Sequence, residues 1–240
     1  MTKPPIVDAE VLREFFEKAE TFLTESYLDA LARGLRSRTH EAPRLLANWE
    51  TLWNLAPAGR RVPDKERSWW QPRLEPLLVP MARGESQVIV EGLEKYDERP
   101  SWLLDWATFW CHVSVPESTW WARWVYGMQS RTGSLALIVQ DATALTVAED
   151  RVTVYQAIDQ AFQFLGSVLD NTHQLDPIDA PYRPIVAAAV VYGVYMFTMA
   201  SWKMTEEFTK VLPPFPVVVK TLLGLNRWEG NYSGPKSHAN

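Results

Sequence analysis

Between Pro184 and Trp202 the chain runs for nineteen residues without a charged side chain. Such a run has to be wrapped by protein or placed in lipid, because about 20 helical residues are enough to cross a hydrocarbon core. Arg183 and Lys203 close it at either end, and Tyr182 and Trp202 stand where interfacial aromatics stand in a membrane span. Its interior, however, is rich in small residues, Ala187, Ala188, Ala189 and Gly193, and carries Tyr192, Tyr195, Thr198 and Ser201. Those side chains suit a helix approached closely by neighbours on all sides. The expectation is a central apolar helix over 184–210, with a membrane anchor over 184–202 as the competing reading.

The rest of the chain supplies helices to surround it. Val11, Leu12, Phe15, Phe16, Ala19, Phe22, Leu23, Ala30, Leu31 and Leu35 recur at steps of three and four, which predicts one long helix over 9–35 with Asp8 as its N-cap. A second helix is expected over 43–55, with Pro43 in its first turn. Five prolines between Pro57 and Pro80 predict a loop of irregular turns over 56–83. Further helices are expected over 86–95, over 101–113, after Pro116 through Trp120, Trp121 and Trp124, and over 134–145. Thr146 to Glu149 reads as a capping box before a long helix over 147–170, and a short helix over 217–225 closes the set. The fold class is therefore all-α, an irregular multi-helix bundle of about eight helices around the apolar helix 184–210. It is read as one helical domain over 1–240, with an N-terminal lobe 1–98 and a tryptophan-rich main lobe 99–240 meeting near Asp97–Pro100.

Composition narrows the function classes. A net charge of −5 gives no overall attraction to nucleic acid. The single cysteine, Cys111, can build neither an internal disulfide nor a cysteine metal cluster. With no charged-apolar-small leader at the start, the expected compartment is the cytoplasm. Gly-rich phosphate loops, a Gly-x-Ser-x-Gly elbow and His-Glu-x-x-His do not occur in the sequence. Asp170 and His173 form only half of a carboxylate–histidine metal pattern, so no metal or cofactor is called for.

Two constellations stand out against this plain background. From Arg33 to Arg73 nine basic residues face four acidic ones, with Trp49, Trp53, Trp69 and Trp70 interleaved. Basic side chains neutralise phosphates and aromatic rings stack bases, so Arg36, Arg38, Arg60, Arg61, Trp69 and Trp70 are the candidate nucleic-acid contacts. The plainer reading is a solvated charged face with tryptophans packed beneath it. The second constellation lies where six of the twelve tryptophans fall, between Trp102 and Trp124. Asp105 and His112 are seven apart there, hence on one helical face, and with Trp106, Trp110 and Trp124 they make a candidate pocket. A carboxylate orienting a histidine is a known support for base or metal work. The plainer reading has both groups satisfying tryptophan N–H groups or helix ends.

The leading functional expectation is a non-catalytic helical subunit or adaptor of a larger protein assembly, since large aromatics and arginine dominate interface hot spots. The alternatives are an accessory nucleic-acid-binding protein using 33–73, a helical enzyme or small-ligand binder with a tryptophan-lined pocket around 102–126, and a membrane-associated protein anchored by 184–202. A protein partner is expected first, nucleic acid second and a membrane third.

Overall fold

Asp8 opens the first helix as the sequence requires. Its carboxylate accepts the N–H groups of Glu10 (3.0 Å) and Val11 (3.1 Å), satisfying two donors that a helix start leaves unpaired. The computed structural model describes residues 4–96, 100–145, 150–203 and 213–229. Among these residues the chain is all-helical with no strand; its only β pairings are two isolated bridges, Val7–Val139 and Gly127–Thr132.

The elements in chain order are α1 (Ala9–Ala19), α2 (Glu25–Leu45), α3 (Trp49–Leu55), α4 (Asp64–Leu74), α5 (Leu78–Ala82), α6 (Ser86–Glu94), α7 (Trp102–Ser114), α8 (Ser134–Ile138), α9 (Arg151–Thr172), α10 (Arg183–Lys203), α11 (Phe215–Leu222) and α12 (Asn226–Glu229). Several boundaries correct the sequence reading. The helix expected over 9–35 is two helices: a 3₁₀ turn over Glu20–Phe22 ends the first, and Thr24 caps the second by accepting the N–H of Tyr27. That second helix then runs through Pro43 to Leu45, and the next starts afresh at Trp49 with Asn48 as its N-cap. Pro43 sits in the last turn, where it takes one N–H out of the ladder and the helix ends two residues later.

The expected loop over 56–83 is mostly helical. Pro63 stands at the N-cap of α4, Pro76 in a 3₁₀ turn over Glu75–Leu77, and Pro80 in the first turn of α5. At those positions the missing N–H would have had no intrahelical acceptor, so proline ends nothing. The helices expected over 86–95 and 101–113 are present as α6 and α7. The expected capping box at 146–149 lies outside the described residues; α9 begins at Arg151, with the Asp150 carboxylate accepting the Thr153 N–H at 2.8 Å. Of the helix expected over 184–210, the described part ends at Lys203.

Two helices act as hubs. Helix α7 packs against α2, α5 and α6, and α10 packs against α1, α8, α9 and α11. Helix α10 is buried without interruption from Ile185 to Val191, then emerges: Tyr195, Met196 and Phe197 are only half-buried. By length and composition Ala180–Met199 is sufficient to cross a membrane, and 56% of its most apolar stretch is enclosed by the rest of the protein. Gly193 shows why small residues were needed, since a Cβ there would come within 3.0 Å of the Phe215 ring. Buried residues from Val7 to Trp228 form one contiguous cluster. The two ends of the sequence are stitched together within it: Tyr27 donates its hydroxyl to Pro216 O, Arg38 its guanidinium to Leu223 O, and Arg227 its guanidinium to Ala56 O.

Candidate functional site

The tryptophans of α7 face two ways. Trp106 and Trp110, one turn apart, both donate their indole N–H to Leu52 O, at 3.0 and 3.1 Å. That carbonyl belongs to the last turn of α3, where carbonyls lack intrahelical donors. The Trp106 ring also stacks on Trp53 at 4.8 Å and on Trp49 at 6.3 Å. These two tryptophans, expected in the pocket, are wholly buried on the opposite side, where they fix α3 to α7.

After α7 the chain does not form the expected helix through Trp120, Trp121 and Trp124. Thr108 on α7 uses its hydroxyl oxygen to accept the Trp121 backbone N–H at 3.0 Å, and Trp121 donates its indole N–H to Tyr126 O at 2.8 Å. A tight turn follows, closed by Gly127 N–H to Thr132 O and Arg131 N–H to Gly127 O, both 2.7 Å, with Arg131 in the left-handed region at φ 52°. Most donors that a helix would have used inside itself are engaged by side chains and by turns, so the segment stays irregular.

This segment and α7 enclose a cleft of about 430 Å³, within the usual range of small-ligand sites of about 300–1,000 Å³. Its apolar walls include Leu103, Leu104, Trp121, Tyr126 and Met128. Asp105 is recessed in it, half-buried, accepting the Trp120 indole N–H at 2.8 Å, with the backbone amide of Arg123 nearby. Burial dominates over the Trp120 hydrogen bond, the nearby Arg123 amide and the Arg227 charge, and pushes its carboxyl up to about 6. Three more charged residues line the cleft. Glu94 and Arg151 approach each other to 3.8 Å, and the exposed Arg123 makes no side-chain hydrogen bond or ion pair.

His112 does not pair with Asp105. Seven residues along a helix are about 10 Å of rise; Asp105 meets the Trp120 indole at its Nε1 edge, and His112 lies over its face. His112 stacks on that ring at 6.3 Å, with 22° between the planes, and lines a smaller cleft of about 210 Å³ with Phe162, Pro181 and Pro184. Its Nδ1 is 3.0 Å from Ser118 O. A carbonyl can only accept, so Nδ1 carries the proton and Nε2 is a bare acceptor, buried without a partner. Burial first, then the Arg38 charge nearby, hold the imidazole down at about 3. Trp124 is half-buried and meets Trp120 edge-on at 5.6 Å. Cys111 is sealed, its thiol pushed up by burial to about 12, which removes it as a nucleophile.

The basic segment is not assembled into one face. Arg38, expected at a phosphate, is 1% exposed: it packs over the Phe109 ring and gives one N–H to Leu223 O, while its Nε and Nη2 have no partner. Its place on the apolar stripe of α2, three residues after Leu35, turns it inward. Arg36 is exposed and paired with Asp179 at 3.0 Å. Arg60 and Arg61 are exposed at the 3₁₀ turn before α4. Trp70 is core, edge-on to Tyr96 and Trp102, whereas Trp69 is 46% exposed with the Arg73 guanidinium 3.7 Å from its ring. Asp170 pairs with Arg183 at 2.9 Å and His173 with Asp176 at 3.2 Å. Among the described residues no three His, Cys, Asp or Glu side chains converge as metal ligands.

The residues that sequence reasoning missed are Tyr126 and Met128 in the turn, and Glu94 and Arg151 from the distant α6 and α9. The glycines at 127 and 133 were the available signal, since they bracket a turn and leave too little chain for a helix. No protein-family model matches this chain, no curated protein matches its sequence, and no solved structure matches its fold.

Proposed function

We propose that this protein binds a small organic molecule in the cleft over Asp105. One observation carries the reading: a recessed carboxyl, raised to about 6, opens onto a cleft of about 430 Å³ walled by leucines, an indole and a phenol. Apolar walls with a few convergent polar groups, one with a displaced pKa, are the usual anatomy of a ligand site. The apolar walls supply affinity, and the carboxyl fixes the orientation of a hydrogen-bond donor on the ligand. Trp121 forms a wall and Trp120 holds Asp105, so ligand binding should alter tryptophan emission. The test is a fluorescence and thermal-shift titration with a chemically diverse set of metabolites. We expect quenching or stabilisation by some of them in the wild type, weakened tenfold or more in Asp105→Asn. If no compound at millimolar concentration changes emission or melting temperature, the reading is wrong.

A second reading, an adaptor in a protein assembly, is favoured by the exposed Trp69–Arg73 stack, because tryptophan and arginine are the residue types that anchor interfaces. On that reading Trp69→Ala leaves the fold intact and releases the chain from the assembly it forms in its native cell. Elution of the native chain as a lone monomer rejects it.

A further inference from the structure

The cleft over Asp105 holds four charged side chains, and they sort into two kinds. Glu94 and Arg151 face each other at 3.8 Å. Asp105 and Arg123 have opposite signs, yet neither makes an ion pair among the described residues: Asp105 accepts the Trp120 indole N–H and feels the Arg227 charge without a salt bridge to it, and the Arg123 side chain is exposed. A carboxylate and a guanidinium sharing one cleft without touching leave room for a molecule that carries both complementary charges. The backbone amide of Arg123 lies close enough to the Asp105 carboxyl to favour its ionised form. Both side chains line the same cleft, so one small molecule can reach from the carboxyl toward the guanidinium. Leu103, Leu104, Tyr126 and Met128 offer an apolar surface beside the two charges.

Resting on the small-molecule reading above, we propose that the cleft binds a zwitterionic amino acid with an apolar side chain, its ammonium on Asp105 and its carboxylate on Arg123. Guanidinium and carboxylate match as a bidentate pair, and an ammonium supplies the donors that a recessed carboxylate lacks. The ligand's side chain lies along the apolar walls. The arrangement rejects molecules carrying only one of the charges, because each leaves one of the two protein charges facing a group that cannot pair with it. Ammonium binding favours the ionised carboxyl, so below about pH 6, where Asp105 is partly protonated, binding releases a proton.

The experiment is calorimetric titration of the full chain at pH 7.5 with four probes: L-phenylalanine, phenethylamine (no carboxylate), 3-phenylpropionate (no ammonium) and benzyl alcohol (neither charge). For the wild type we expect L-phenylalanine to bind at least tenfold more tightly than the other three. In Arg123→Gln, phenethylamine should bind as well as L-phenylalanine. In Asp105→Asn, 3-phenylpropionate should do so. Repeating the L-phenylalanine titration at pH 5.5 in two buffers of different ionisation enthalpy should show proton release that is missing at pH 7.5. Because Arg123 is exposed and its side chain makes no hydrogen bond or ion pair among the described residues, Arg123→Gln is expected to fold and keeps the test valid if Asp105→Asn does not. If the amine, the acid or the alcohol binds the wild type as tightly as L-phenylalanine does, the cleft is a ligand site and the zwitterion proposal is wrong. If none of the four binds at millimolar concentration, the zwitterion proposal falls, and the metabolite titration described above then decides the broader reading separately.

Discussion

Trp120 divides two ionisable groups of one helix, and the protein treats them in opposite ways. On one side Asp105 has a donor for its carboxyl, an open cleft beyond it and a pKa raised to about 6. On the other, His112 lines a smaller cleft with one nitrogen satisfied, the other buried without a partner among the described residues, and a pKa held near 3. Burial is the leading cause in both, but it favours the neutral form of each, moving an acid up and a base down. Neutral Asp105 exists only below physiological pH, so at pH 7 its charge is kept at a cost, whereas His112 is neutral wherever the protein works. A group maintained ionised in a recess offers a ligand a charge; a group kept neutral by burial offers none.

The hardest break of this contrast removes the divider. Trp120→Ala deletes a side chain that is 1% exposed and takes away the donor to Asp105. We expect a loss of about 5 kcal/mol or more, from the cavity and the lost charge-assisted hydrogen bond together, read by chemical denaturation. The next largest effect is acid sensitivity on the His112 side. The imidazole binds a proton in the unfolded chain below its ordinary 6.5 and in the folded protein only below about 3. Stability from this group is therefore complete above pH 6.5 and is lost as pH falls toward 3, by about 4–5 kcal/mol. His112→Gln should flatten that slope, whatever its effect at neutral pH. The smallest effect has the opposite sign. Asp105 is raised from 3.8 to about 6, so the folded state holds its proton more tightly than the unfolded chain. Its contribution is complete below about pH 4 and is lost as pH rises through 6, by up to about 3 kcal/mol. Asparagine keeps an oxygen for the Trp120 N–H, and Asp105→Asn should abolish this alkaline-side loss while leaving the His112 slope intact. Parallel slopes in the two variants would mean that the sides are not distinct.

The regular helices were readable because each rests on a local signal. Asp8 announces α1, the Trp102–Trp106–Trp110 spacing announces α7, and the charge-free run announces α10. Errors arose where one local signal hid another. Thr24 and Asn48 are N-caps inside stretches whose apolar periodicity continues across them, so two helix breaks passed unseen. Prolines between 57 and 80 were read as breakers although most sit where a helix start has a spare donor. The candidate site was half legible. Asp105 was singled out with a histidine that turned out to face another way, because a seven-residue spacing fixes direction and not proximity. Glu94 and Arg151 come from helices far off in sequence, and no local pattern announces such a meeting. Arg38 was misread because a charge count cannot see that it falls on the buried stripe of α2.

The stitching of the two chain ends has a consequence for the order in which this protein is made. Arg38 finds its acceptor 185 residues downstream, Tyr27 finds its own 189 residues downstream, and Ala56 O waits for Arg227, 171 residues away. Contacts of such long sequence separation form late, since a large loop must close before they repay it. On the ribosome, where residues emerge at about 5–20 per second, α2 must therefore wait on the order of ten seconds for α11. For that interval a guanidinium destined for the core lacks the carbonyl that receives it in the folded protein, and nascent α1 to α3 carry apolar surface that only the later helices cover.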